Sequence, residues 1–240
     1  MDIWYFLYIG FMIAGAVLFY VWSRDPKGVP PDEYLVAILI PIWSALAYTA
    51  MATGQGIIEV GGREVYLARY IDWVVTTPML LWALFSTAYF YRPFEKTLFA
   101  GLLAADVIMI LSGLMADLST DETHKWLWFS VGVAALVILI ATVWGKMRRV
   151  AYAQTAELGA AYTKVAAFLT ALWILYPLIW FLAPSGTGAI GTTLSIPLLV
   201  VVPILSKVGF SMFDLYELRK IGRVRPGHGM PRDPLVSEAR

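Results

Sequence analysis

The sequence predicts an all-α protein: a bundle of seven membrane-spanning helices with the N-terminus outside. Three observations carry this. The chain of 240 residues is 60% hydrophobic and only 15% charged, where a soluble domain carries about 25% charge. Apolar stretches recur at residues 2–23, 32–54, 66–90, 95–117, 124–145, 160–183 and 190–217, each near the ~20 residues needed to cross hydrocarbon. Basic residues also alternate between the loops. Arg24, Lys27, Arg92, Lys96, Lys146, Arg148, Arg149, Arg219, Lys220, Arg223 and Arg225 fall on one side, against Arg63 and Lys125 on the other and Arg69 at a span edge. The basic side stays cytoplasmic, so the odd-numbered spans run inward.

In chain order, the start Met-Asp-Ile-Trp-Tyr lacks a basic n-region. The first stretch therefore reads as a span and not as a cleaved signal. Before the third span, two β-prone runs flank Gly61-Gly62, a hairpin signal, so a small extracellular ribbon is expected between helices 2 and 3. Short connections join the remaining spans as antiparallel neighbours, and helices satisfy the backbone in lipid. Residues 1–222 read as one membrane domain. Residues 223–240, with Pro226, Gly227, Gly229 and Pro231, read as a polar, disordered cytoplasmic tail. The chain is expected to be a multi-pass protein of the cell membrane.

Composition excludes several chemistries. There is no cysteine, hence no disulfide or thiol catalysis. The two histidines, His124 and His228, lie in a loop and in the tail, so no metal site is expected. No basic patch suggests nucleic acid.

Lys207 lies deep in the seventh span, in Pro203-Ile-Leu-Ser-Lys207-Val-Gly-Phe. A lysine in hydrocarbon costs about 2.5–3.5 kcal/mol on insertion scales, which makes it a candidate functional residue against the alternative of a snorkelling side chain. A desolvated lysine can form a Schiff base with an aldehyde. The third span, Arg69-Tyr70-Ile71-Asp72-Trp73-Val74-Val75-Thr76-Thr77-Pro78, supplies a partner. Asp72 and Thr76 share a helix face, with Arg69 one turn outward. Asp72 is the expected counterion, hydrogen-bonded by Thr76, because an isolated buried charge is prohibitive. On the sixth span Trp173, Tyr176 and Trp180 follow one face, with Pro177 among them. Together with Trp73, Met109, Gly113, Trp128 and Phe129 they suit a flat conjugated ligand better than an interfacial aromatic belt.

These motifs, in this order, resemble the microbial rhodopsins over nearly all of residues 1–220. The resemblance implies all-trans/13-cis retinal bound covalently to Lys207 as a protonated Schiff base, with Asp72 as counterion. It also implies a pocket at Tyr48, Trp73, Thr77, Leu80, Met109, Gly113, Phe129, Trp173, Tyr176, Trp180 and Pro203. Outward proton pumps of that family carry a second aspartate where this chain has Pro203, and a cytoplasmic carboxylate where it has Ala83. A release glutamate would fall at Ser195. Pro203, Asp214 and the segment Pro41-Ile-Trp-Ser-x-Leu-Ala-Tyr48 are similar to the xenorhodopsins, the branch that includes the Anabaena sensory rhodopsin.

Asp214 lies seven residues beyond Lys207. On a straight α-helix that is about 10.5 Å further toward the cytoplasm and about 20° off the lysine's face. It is the expected cytoplasmic proton acceptor, against the alternative of a solvated residue paired with Arg219 or Lys220. The expected function is a light-driven inward proton pump and not an enzyme. The alternative is a photochromic sensor signalling to a soluble transducer without net transport. A solute transporter with Lys207 as anion site is a third reading, and the lack of a half-helix repeat counts against it. Asp106 is expected to make a structural interhelical hydrogen bond, against the alternative of a protonated group near the pocket's ring end. Glu33 is expected to be a solvated helix-start carboxylate, against the alternative of joining the exit path from Asp214. The expected partners are the bilayer, protons and further copies of the chain, as trimer or dimer.

Overall fold

The computed structural model describes residues 2–224. Seven helices are long and apolar enough to cross a membrane. They are α1 (Asp2–Ser23), α2 (Pro31–Ala52), α3 (Leu67–Ala88), α4 (Lys96–Leu118), α5 (Glu122–Tyr152), α6 (Ala156–Leu182) and α7 (Thr192–Gly222, continuing helically to Val224). The protein is a multi-pass membrane protein. Successive helices are neighbours, and α7 returns to α1 to close the bundle. The expected disordered tail falls almost wholly outside the described residues.

Local chemistry sets the helix ends. Pro31 occupies the first turn of α2, where a missing N–H costs nothing. Asp121 and Thr155 cap α5 and α6, accepting from His124 N and Leu158 N at 3.0 Å each. Between α2 and α3 the expected ribbon forms from β1 (Ile58–Val60) and β2 (Arg63–Val65), with Glu59 opposite Glu64. Gly61 and Gly62 turn the chain at φ +57° and +77°, the double positive φ of a tight hairpin turn.

Two helices depart from straight α geometry. α5 runs past the expected boundary at residue 145, through a π-helical turn at Val143–Met147. Tyr162 on α6 donates to the Val143 carbonyl there at 2.8 Å. In α7 the π turn is Leu205–Gly209, and it contains Lys207. The straight-helix projection from Lys207 to Asp214 therefore does not hold, because a widened turn lies between them. Just before it, Pro203 has no N–H for the Leu199 carbonyl four residues back. Tyr48 donates its hydroxyl to that carbonyl at 2.9 Å.

The apolar core sits where α3 and α7 are enclosed by the others. The share of buried residues in the spanning window is 56% for α3 and 50% for α7, against 22% for α1 and α4. Helices with more enclosed faces can hold charge away from lipid, and the two carry Asp72 and Lys207. Gly15 lets α1 close on α7 beside the lysine, since a Cβ there would meet Val208 Cγ2 at 2.7 Å.

Candidate functional site

Lys207 is 1% exposed and Asp72 is fully buried. Lys207 Nζ donates to Asp72 Oδ2 in a short ion pair, to Ser44 Oγ at 2.8 Å and to Tyr8 OH at 3.1 Å. Ser44 Oγ lies 2.9 Å from Asp72 Oδ2 and 2.5 Å from Tyr8 OH. The donor inventory closes on one pattern. The ammonium spends its three protons on the three acceptors, Ser44 donates to Asp72, and Tyr8 donates to Ser44. Converting the amine to a protonated Schiff base leaves one N–H, and the charged Asp72 competes for it best.

Thr76 differs from expectation. Its hydroxyl sits 2.8 Å from the Asp72 backbone carbonyl and 3.5 Å from Oδ1. A threonine four residues along a helix back-bonds readily to the carbonyl behind it, so Thr76 fixes the backbone at Asp72 more than it holds the carboxylate. Arg69 is not in an ion pair with Asp72. Its guanidinium lies 4.6 Å above the Tyr66 ring and borders a cavity.

That cavity has a volume of about 430 Å³, within the ~300–1,000 Å³ of small-molecule pockets. It begins at Lys207 and runs between α3, α4, α5 and α6 toward the hairpin. Trp73, Thr77, Leu80, Met109, Gly113, Phe129, Trp173, Tyr176 and Trp180 line it as expected. Phe129 and Trp180 stack at 4.9 Å and 15°, and Trp73 meets Tyr176 edge-on at 5.1 Å. Tyr176 and Ser206 share a 2.7 Å hydrogen bond. These contacts fix ring planes around a slot open at the lysine, which fits a flat conjugated aldehyde.

Tyr48 and Pro203 do not line the cavity, contrary to expectation, and neither does Trp128. The Tyr48 ring is held against Tyr8, stacked at 3.5 Å and 14°, by the hydroxyl that serves Leu199. Thr77 on the cavity wall donates to Asp106 Oδ2 at 2.8 Å, the expected α3–α4 hydrogen bond.

The sequence profile of the bacteriorhodopsin-like protein family matches residues 1–221. The chain belongs to that family. Members bind retinal covalently through a Schiff base and are light-driven pumps and photoreceptors. The chain is 35% identical over 209 residues to the bacteriorhodopsin-II-like protein of Haloquadratum walsbyi, covering 83% of this chain and 82% of that one. It is 28% identical over 204 residues to sensory rhodopsin-2 of Natronomonas pharaonis, covering 85% and 83%. Among solved structures, the thermophilic rhodopsin of Rubrobacter xylanophilus superposes with a TM-score of 0.87 at 31% identity, covering 93% and 98%.

On the cytoplasmic side of this bacteriorhodopsin-like chain, Asp214 is 2% exposed and accepts from Thr87 Oγ1 at 2.7 Å. It pairs with neither Arg219 nor Lys220. Arg219 donates to the Trp22 and Asp25 carbonyls and to Tyr34 OH, and Lys220 pairs with Glu217. Glu33 is not solvated either. It is 2% exposed, accepts a short hydrogen bond from Ser86 Oγ and lies within electrostatic reach of Asp214. Neighbouring hydroxyls at the end of α3 thus hold two buried carboxyls from α2 and α7.

Sequence reasoning missed Tyr8 and Ser44 as contacts of Lys207, and Thr87 and Ser86 as partners of the inner carboxyls. Ser44 had a signal, lying one helical turn before Tyr48 on the same face. Tyr8 had none, because α1 is apolar around its whole circumference. Among the described residues no His, Cys, Asp and Glu cluster could hold a metal.

Proposed function

We propose that this chain carries retinal on Lys207 and moves protons inward under light, in the manner of the xenorhodopsins. When bound, the retinal supplies a photoisomerisable conjugated cation at Lys207 Nζ. Asp72 balances that charge, and Ser44 and Tyr8 orient its carboxylate and the nitrogen. Trp73, Trp173 and Tyr176 confine the slot, and Asp106 with Thr77 ties α4 to α3 along its wall.

The observation that carries the direction is the buried Asp214–Thr87 contact beside Glu33–Ser86. It supplies a proton-accepting group on the cytoplasmic side. On the outward side, Pro203 and Ser195 stand where carboxylates would draw the proton out. Asp214 Oδ accepts the proton from the lysine nitrogen across the π turn, and Glu33 lies next toward the cytoplasm. The extracellular side then re-supplies the proton: Asp72, the nearest titratable group on that side, takes one up from outside and passes it to the nitrogen. The buried, serine- and threonine-held carboxyls would also suit a sensor that cycles protons internally, and the likeness to a sensory rhodopsin keeps that as the second reading.

The test is the light-induced pH change of a suspension of cells expressing the protein. Alkalinisation abolished by a protonophore supports inward pumping. No change favours the sensor, and acidification overturns both readings.

A further inference from the structure

The slot that begins at Lys207 reaches the extracellular surface. It runs out to Gly62, Arg63, Glu64 and Tyr66, so the segment carrying the β1–β2 ribbon forms part of its mouth. The base of that ribbon is fixed. Val65 is fully buried, and the Gly56 carbonyl accepts from Ala68 N at 3.0 Å. Gly54 and Gly56 turn the chain there at φ +76° and +68°, a conformation that glycine adopts without strain. The ribbon itself is two three-residue strands, and an isolated two-stranded hairpin is marginal in water. Glu59 faces Glu64 across it, and like charges directly opposite destabilise a strand pair.

Beside the turn, Arg63 ties the ribbon down. Its Nη1 donates to Asp117 Oδ1 at 2.7 Å, and its Nη2 to the Asp117 and Ser119 carbonyls at 2.5 and 3.2 Å. Those carbonyls lie at the end of α4, where the helix supplies no donors of its own. Asp117 is 5% exposed, and Tyr70 on α3 donates to its other oxygen at 3.1 Å. A planar guanidinium serves a carboxylate and two carbonyls together, which the ammonium of a lysine does not reproduce. Arg63 and Asp117 both border the cavity, so their contact closes across its mouth.

We propose that the β1–β2 ribbon is a hinged lid on the outer mouth of the cavity, latched by Arg63 onto Asp117 and the end of α4. Its opening about the Gly54–Gly56 turn sets how fast small water-soluble molecules from the external medium reach Lys207. The lid is independent of the direction in which protons move.

Hydroxylamine, a small nucleophile that cleaves a retinal Schiff base to the oxime, reads the lid in the dark. Arg63→Gln is expected to lose its visible absorbance several-fold faster than the wild type, with Arg63→Lys in between. A disulfide then closes the lid without the latch. The chain has no native cysteine, and a Cβ at Gly61 would lie 3.5 Å from Thr120 Cγ2, within reach of a disulfide. In Arg63→Gln carrying Gly61→Cys and Thr120→Cys, bleaching should return toward the wild-type rate on oxidation and rise again on reduction. Amide exchange of the retinal-free protein reads the same motion even where Lys207 forms no pigment. Residues 57–65 should exchange faster in Arg63→Gln than in the wild type. Wild-type exchange of these amides in Arg63→Gln overturns the proposal. So does a pigment of that variant that bleaches at the wild-type rate, or fast bleaching that the formed disulfide leaves unchanged.

Discussion

Removing the Tyr48 hydroxyl should destabilise the protein, and removing Pro203 should cancel the effect. Pro203 cannot donate to the Leu199 carbonyl, and Tyr48 OH occupies that acceptor at 2.9 Å. Tyr48→Phe keeps the ring stacked on Tyr8 and deletes one hydrogen bond, leaving a carbonyl stranded in a buried helix. A buried unsatisfied polar group costs about 1–3 kcal/mol, whereas interhelical hydrogen bonds in membranes average nearer ~0.6 kcal/mol. The Leu199 carbonyl falls between these two cases, and about 1–2 kcal/mol is expected. For a chain of this size that is a fall of ~2–8 °C in melting temperature. In Pro203→Ala the new backbone N–H can serve Leu199 itself, so adding Tyr48→Phe should then cost less than about 0.5 kcal/mol, the scale of non-coupled effects. The assay is thermal or denaturant unfolding of the purified protein in one detergent for all four members of the cycle. Equal losses in both backgrounds would mean that the Leu199 carbonyl does not depend on Tyr48, and would assign the effect of Tyr48 to its contacts with Tyr8 or Arg69.

Other expectations follow from the same contacts. Lys207→Ala should form no covalent visible pigment with added retinal, read by absorbance before and after denaturation. Asp214→Asn preserves shape and the Thr87 contact yet cannot accept a proton, so inward transport should fall by about 10²-fold or more, the usual worth of a positioned acid–base group, while the dark spectrum stays near wild type. On the cytoplasmic surface, Lys146 and Tyr89 hold the Glu95 carboxyl below its ordinary value of 4.5. A depressed carboxylate stabilises the fold above its unfolded value, and that contribution is lost as pH falls through the folded one. Glu95→Gln should therefore flatten the stability profile below about pH 4.5 and leave neutral pH nearly unaffected, read by melting temperature against pH.

The bundle was legible because hydrocarbon leaves the backbone few options: long apolar runs, a basic-loop alternation and a Gly-Gly turn each had one reading. Lys207 and Asp72 were legible because charge inside a span is costly and rare. Glu33 was misread because an acidic residue in a first helical turn ordinarily faces water and the helix dipole. Its burial depends on Ser86, which comes from another helix and carries no marker in the sequence. Tyr48 was placed on the pocket wall by the resemblance to the microbial rhodopsins. The structure shows that the nearer demand is the carbonyl left by Pro203, a pairing 151 residues apart in the chain. The π turn at Lys207 was also hidden, since an apolar run looks the same in α and π geometry. Asp214 kept its inward side, but its partner Thr87 follows from packing and not from the straight-helix projection.

The direction of proton movement is read most simply as a photocurrent. In a voltage-clamped cell expressing the protein, with equal pH on both sides and no applied potential, continuous light should drive a steady inward current that persists when other permeant ions are replaced. Asp214→Asn should abolish it. A steady outward current, or a transient that decays to zero under constant light, would contradict inward pumping.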